Sequence, residues 1–201
     1  MKTFKIHFIR HGITEANLKG QYVGNRTDLP LCYSGVDELR ALRDTIDYPD
    51  VQRLYVSPML RCKQTADIIY PDNDYTVIDE FAEYDFGSFE GKTAHELEKD
   101  ESFALWTSGK IPSPPGGETT ENFIKRLAMG LRRTLENMME NDADNSAVIM
   151  HGGAIMMLLS SCAVPRRRSV EWQCDAGRGF SICVTPSLYH SSGIIEVYDI
   201  V

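Results

Sequence analysis

Arg10 and His11 stand side by side, Arg61 follows three residues after Pro58, and His151 precedes Gly152-Gly153. Each of these groups comes just after a short apolar run, at 4–9, 51–56 and 147–150. A guanidinium fork matches phosphate oxygens bidentately. A histidine left neutral among arginines keeps a lone pair that can attack phosphorus. Two arginines and two histidines brought to one point would form a site for a dianion.

Convergence requires the apolar runs to be neighbouring strands, because open parallel sheets place ligands beyond the carboxyl ends of their strands. The 4–9 run reads as a first strand, and 51–56 as a second, closed by Ser57-Pro58. Between them Val36, Leu39, Leu42 and Ile46 have helical spacing. After Pro58, Met59, Cys62, Ala66 and Ile69 share a helix face, with Arg61 in the first turn. Residues 75–78 form a brief strand. The stretch 80–117 is irregular and rich in aromatics, leaves through Pro112-Ser113-Pro114-Pro115-Gly116-Gly117, and reads as an inserted lid. Phe123, Ile124, Leu127, Leu131, Leu135 and Met138 form the stripe of a long helix over 118–141. A strand at 147–150, an apolar helix at 154–161 and strands at 180–184 and 194–200 complete the chain. Alternation of this kind predicts an α/β fold: a three-layer α/β/α sandwich with a mostly parallel central sheet, as a single domain over 1–201 with a lid insertion at about 80–117.

The 201 residues are 42% hydrophobic and 25% charged, the composition of a soluble globular chain. Cys32, Cys62, Cys162, Cys174 and Cys183 are odd in number and contain no C-x-x-C pair, so neither a disulfide framework nor a zinc site is expected, and a cytoplasmic location fits. A net charge of −8 argues against nucleic-acid and membrane partners. Arg166-Arg167-Arg168 reads as a solvated basic run, His7 as a sheet-face residue, His95 as a lid-helix surface residue and His190 as part of a Ser-rich turn. No His/Asp/Glu spacing matches a metal site, so no metal or other cofactor is expected.

Five segments in order resemble the motifs of the histidine phosphatase (phosphoglycerate mutase-like) superfamily. Arg10-His11-Gly12-Ile13-Thr14-Glu15-Ala16-Asn17 resembles its R-H-G-x-T-x-x-N signature, and Ser57-Pro58-Met59-Leu60-Arg61-Cys62-Lys63-Gln64-Thr65-Ala66 its S-P-x-x-R-x-x-x-T-A element. Glu83-Tyr84-Asp85-Phe86-Gly87-Ser88-Phe89-Glu90-Gly91, Pro115-Gly116-Gly117-Glu118-Thr119 and Val148-Ile149-Met150-His151-Gly152-Gly153 are similar to its acidic segment, long-helix start and second histidine motif. Singly such motifs are weak; five in the family's order are specific.

The resemblance implies a metal-independent, acid-type histidine phosphatase. His11 would attack phosphorus and form a phosphohistidine, which water hydrolyses. Arg10, Arg61 and His151 would hold the phosphoryl oxygens, and Asn17 and the backbone amides near Gly24 and Gly152 would add hydrogen bonds. Glu83 would be the general acid and base, with Glu80, Asp85 and Glu90 as nearby alternatives. The expected partner is a small phosphomonoester, of the kind taken by the α-ribazole phosphatase branch; assembly is left open between monomer and homodimer. Two other readings remain, a phosphoglycerate mutase-type transfer and a catalytically silent phosphate-binding protein. Segment 81–117 contains no arginine, only Lys92, Lys99 and Lys110, and His151 is followed by Gly152-Gly153 where the family's mutases tend to carry Gly-Asn. Both departures favour hydrolysis.

Overall fold

The computed structural model describes residues 2–201. Its strands β1 (Phe4–Arg10), β2 (Arg53–Val56), β3 (Tyr75–Val77), β4 (Asn145–Met150), β5 (Ala163–Val164), β6 (Gly179–Val184) and β7 (Ile195–Ile200) form one sheet in the order β3-β2-β4-β1-β6-β7-β5. The pairs β3·β2, β2·β4, β4·β1 and β7·β5 are parallel, whereas β6 runs antiparallel to both β1 and β7. The sheet is therefore mostly parallel, and its parallel half holds the three strands that precede the arginines and histidines.

Alternation along the central strands supplies both faces of the sheet. In β4, Val148 and Met150 join the core cluster containing Phe4, Ile6, Phe8 and Tyr55, while Ala147 and Ile149 join the opposite cluster containing Ile9, Leu54 and Val56. Helix α5 (Thr120–Glu140) lays Phe123, Leu127, Leu131, Leu135 and Met138 on the first face, beside Ala154, Ile155, Leu158 and Leu159 of α6 (Gly152–Cys162). Helices α2 (Tyr33–Thr45) and α3 (Leu60–Ile69) cover the second through Leu39, Cys62, Ala66 and Ile69. Layers of helix, sheet and helix match the expected architecture.

Three short helices and one strand escaped the sequence reading: α1 (Glu15–Leu18), α4 (Glu101–Thr107), α7 (Pro186–Ser192) and β5. None is long enough to repeat a hydrophobic period. His190 accordingly lies in α7 rather than in a turn, and exposed His95 lies in a turn rather than a helix. The stretch 80–117 is built from single 3₁₀ turns at Asp79–Phe81 and Gly87–Phe89 followed by α4. His7 is buried on the sheet with Ser181 and Asn145 as partners. The arginine run is tied down locally: Arg166 donates to the Ser161 carbonyl, Arg167 lies over the Trp172 ring, and Arg168 pairs with Glu171. All five cysteines are free thiols. Among the described residues no helix is long and apolar enough to cross a membrane.

Candidate active site

Parallel pairing of β1 with β4 sets Arg10 opposite Met150, so the next residues, His11 and His151, leave adjacent strands side by side. The His11 amide extends the ladder by donating to the Met150 carbonyl at 2.9 Å, and the two imidazole rings meet edge to face, 5.1 Å between centroids. Strand β2 lies on the other side of β4, and Ser57 at its end places its hydroxyl 2.7 Å from Nε2 of His151. Arg61 follows in the first turn of α3, almost fully buried. Three adjacent strand ends thus bring together Arg10, His11, Arg61 and His151.

Each group is oriented from behind. His11 Nδ1 lies 2.6 Å from the Gly12 carbonyl. A carbonyl only accepts, so Nδ1 carries the proton and Nε2 keeps the lone pair. Burial, then the Arg61 guanidinium and Arg10, push the His11 pKa down to about 3, against the Gly12 hydrogen bond, which raises it. His151 is likewise held well below the usual histidine range by burial, Arg61 and His11. Arg10 donates from Nη1 to the Cys174 carbonyl at 2.7 Å, while its buried Nε has no hydrogen-bond partner among the described residues. Arg61 donates to the carbonyls of Gly24 and Thr27 at 3.2 and 3.3 Å.

Glu83 is buried, and desolvation raises its pKa against a hydrogen bond from the Tyr84 amide and the fields of Arg61, Arg126 and Arg10. Burial disfavours the carboxylate, so the group is biased towards the protonated form. The other acids nearby are engaged: Glu80 by Arg133 at 2.7 Å, Asp85 by Arg26 at 2.7 Å, and Glu90 by the Gly24 amide at 3.0 Å. Gly153 brings backbone against Glu83, since a Cβ there would lie 3.0 Å from its Oε1. At Gly152 a Cβ would lie 3.1 Å from Nε of Arg10.

One expected phosphate ligand is placed differently. The Gly24 amide is taken by both Glu90 carboxylate oxygens, so this residue enters the site through its carbonyl, which holds Arg61. Exposed Asn17 forms a capping box with Thr14 that occupies its Oδ1 and leaves its amide group for other contacts. Gly152 opens α6, where first-turn amides have no acceptor within the helix.

The reading of the sequence assigned no role to several supporting residues. Thr65 accepts from the Gly12 amide at 3.0 Å and donates to the Arg61 carbonyl at 2.6 Å, locking the β1 turn to α3. Asp28 accepts from the Leu60 amide at the start of α3. Arg126 pairs with Glu118 at 2.8 Å and donates to the carbonyls of Glu80, Ala82 and Glu83, so α5 clamps the backbone that carries Glu83. Ser57, Thr65 and Glu118 all lie inside the recognised motifs, which was the available signal. Arg126, Asp28 and the Cys174 carbonyl lie outside them and carried none.

A curated relative, the adenosylcobalamin/α-ribazole phosphatase of Salmonella typhimurium, is 27% identical over 161 residues, covering 78% of this chain and 78% of that protein. The sedoheptulose 1,7-bisphosphatase of Saccharomyces cerevisiae is 28% identical over 176 residues, 73% of this chain and 63% of that protein. Among solved structures, the α-ribazole phosphatase of Shigella flexneri superposes with a TM-score of 0.79 at 21% identity, covering 96% of this chain and 94% of that one, which speaks for the fold. A family model described as the histidine phosphatase superfamily (branch 1) matches residues 6–178, and those residues hold every side chain of the strand-end cluster. The chain belongs to the histidine phosphatase superfamily.

Proposed function

We propose that the protein is a phosphomonoester hydrolase working through a phosphohistidine at His11. The observation that carries the reading is the tie from His11 Nδ1 to the Gly12 carbonyl, which leaves Nε2 as a neutral nitrogen among Arg10, Arg61 and His151. A phosphate dianion bound there meets two guanidinium groups, and Ser57 donating to Nε2 of His151 would leave a proton on its Nδ1 for a phosphoryl oxygen. As the N–P bond forms the His11 ring becomes cationic, and its Nδ1–H donates more strongly to Gly12. Preorganised charges of this kind supply much of the rate in phosphoryl transfer.

In the first step Nε2 of His11 attacks phosphorus, the P–O bond to the alcohol breaks, and protonated Glu83 gives its proton to the leaving oxygen. In the second, Glu83 takes a proton from water as its oxygen attacks phosphorus; the N–P bond breaks, inorganic phosphate leaves and His11 is restored. Hydrolysis is favoured over transfer to a second substrate site because the lid lysines Lys92, Lys99 and Lys110 are exposed and the lid has no arginine.

Single-turnover labelling tests the reading. Wild-type protein quenched during turnover should carry an acid-labile, base-stable phosphoryl group, absent in His11→Ala. Glu83→Gln should slow labelling by an alkyl phosphate roughly 10²-fold, the scale of general-acid catalysis, and labelling by p-nitrophenyl phosphate far less, because nitrophenolate leaves unaided. Equal losses would mean that Glu83 positions rather than protonates. Phosphate binding without any labelling would favour a silent binding protein.

A further inference from the structure

Glu83 has a cavity of about 180 Å³ beside it, bounded by Met156 and Met157 of α6, Phe123 of α5, and Phe86 and Trp106 of the lid. If Glu83 protonates the leaving oxygen, the carbon skeleton attached to that oxygen must extend from the Glu83 end of the site, and the cavity is the space found there. Its volume is close to the roughly 150 Å³ of an apolar cavity that accepts benzene. Phe86, Trp106, Met156 and Met157 are only half-buried, so large apolar side chains converge without closing over one another. Methionines and aromatics of this kind adapt to flat apolar ligands.

Part of the lid's aromatic surface is its own small core: Phe89 is fully buried and packs edge to face on Phe103, 5.5 Å between centroids. The cavity lies on another side of that cluster, where Tyr84 stacks on Trp106. Tyr84 and Thr120 complete the lining, with the Tyr84 hydroxyl buried close to Thr120 and Trp106.

We infer that the cavity is a leaving-group subsite, and that the substrate is a phosphomonoester whose alcohol carries a single ring-sized apolar group. A bare sugar phosphate fits poorly, because its hydroxyls would exchange water for carbon and sulfur walls with few partners. The inference rests on the proposed phosphatase activity, since Glu83 defines which end of the site holds the alcohol.

The test compares 2-phenylethyl phosphate with ethyl phosphate. Their alkoxides are of similar basicity, so Glu83 faces the same task and only the ring differs. Wild-type kcat/KM should favour the phenylethyl ester by roughly tenfold to a hundredfold. Met157→Gln, which keeps length but adds an amide, should shrink that ratio about tenfold and leave ethyl phosphate turnover unchanged. Met156→Gln on the same wall serves if the first variant does not fold. In addition, 2-phenylethylphosphonate, which cannot be hydrolysed, should perturb tryptophan fluorescence in wild-type protein and not in Trp106→Phe. Equal kcat/KM for the two esters with normal His11 labelling would overturn the subsite and leave the phosphatase reading standing. Failure of both esters to label His11 would overturn both.

Discussion

His11 is held neutral by burial and by two arginines, and that cost has a sign that can be measured. Its folded pKa is about 3, below the ordinary 6.5. Between those values the unfolded chain binds a proton that the folded one does not, so this residue lowers stability as pH falls from 6.5 towards 3. Asparagine at this position does not titrate. The melting temperature of His11→Asn relative to wild type should therefore rise between pH 7.5 and pH 5, whatever the fixed difference between the two proteins at neutral pH. A difference independent of pH would mean that His11 keeps an ordinary pKa. Arg61 carries a different demand, because its guanidinium reaches two loop carbonyls while its charge serves the site. Arg61→Lys keeps the charge but loses the planar fork, and turnover should fall by roughly two orders of magnitude, as steady-state assays would show.

At the scale of elements, the site depends on joints between segments. Thr65 connects the β1 turn to α3 through one hydroxyl that both accepts and donates. Thr65→Val would leave the buried Gly12 amide without an acceptor, costing about 1–3 kcal/mol in denaturant unfolding, and Thr65→Ser should recover most of that loss. The start of α6 is the second joint. A methyl at Gly153 would press on the Glu83 carboxyl, whereas alanine is the better helix former. Gly153→Ala is thus expected to keep or raise the melting temperature while slowing alkyl phosphate turnover about tenfold, the lower part of the range for losing a positioned acid. p-Nitrophenyl phosphate turnover should be largely spared. A fall in stability without substrate discrimination would point to backbone distortion instead.

The whole molecule carries a net charge of −8, whereas the proposed phosphomonoester substrate is itself an anion. Arg10 and Arg61 supply positive charge at the site, with Arg126 near enough to act on Glu83 and His151. Among the described residues no three His, Cys, Asp or Glu side chains cluster in a way that could hold a metal ion. If these guanidinium groups supply the charge that a divalent cation supplies in other phosphoryl-transfer enzymes, turnover should be unchanged in EDTA. Loss of activity in EDTA that magnesium restores would refute this assignment.

Much of this was legible along the chain because it is locally encoded. The apolar runs of β1, β2 and β4 and the stripe of α5 are patterns set within a few residues, and three of the motifs place His11, Arg61 and His151 just after a strand or in the first turn of a helix, whereas Glu83 lies in a loop that no local pattern marks. Elements as short as α1 and β5 have no room for a repeat and take their form from what they pack against. The order β2-β4-β1, which makes the strand ends neighbours, is a choice among sheet arrangements with the same periodicities, decided by burial of both faces under α2, α3, α5 and α6. The same holds for individual partners. Ser57 reaches His151 across 94 positions, and Glu90 occupies the Gly24 amide across 66. A hydrogen bond needs both groups within about 3 Å, and between residues so far apart in sequence only the packed chain supplies that distance.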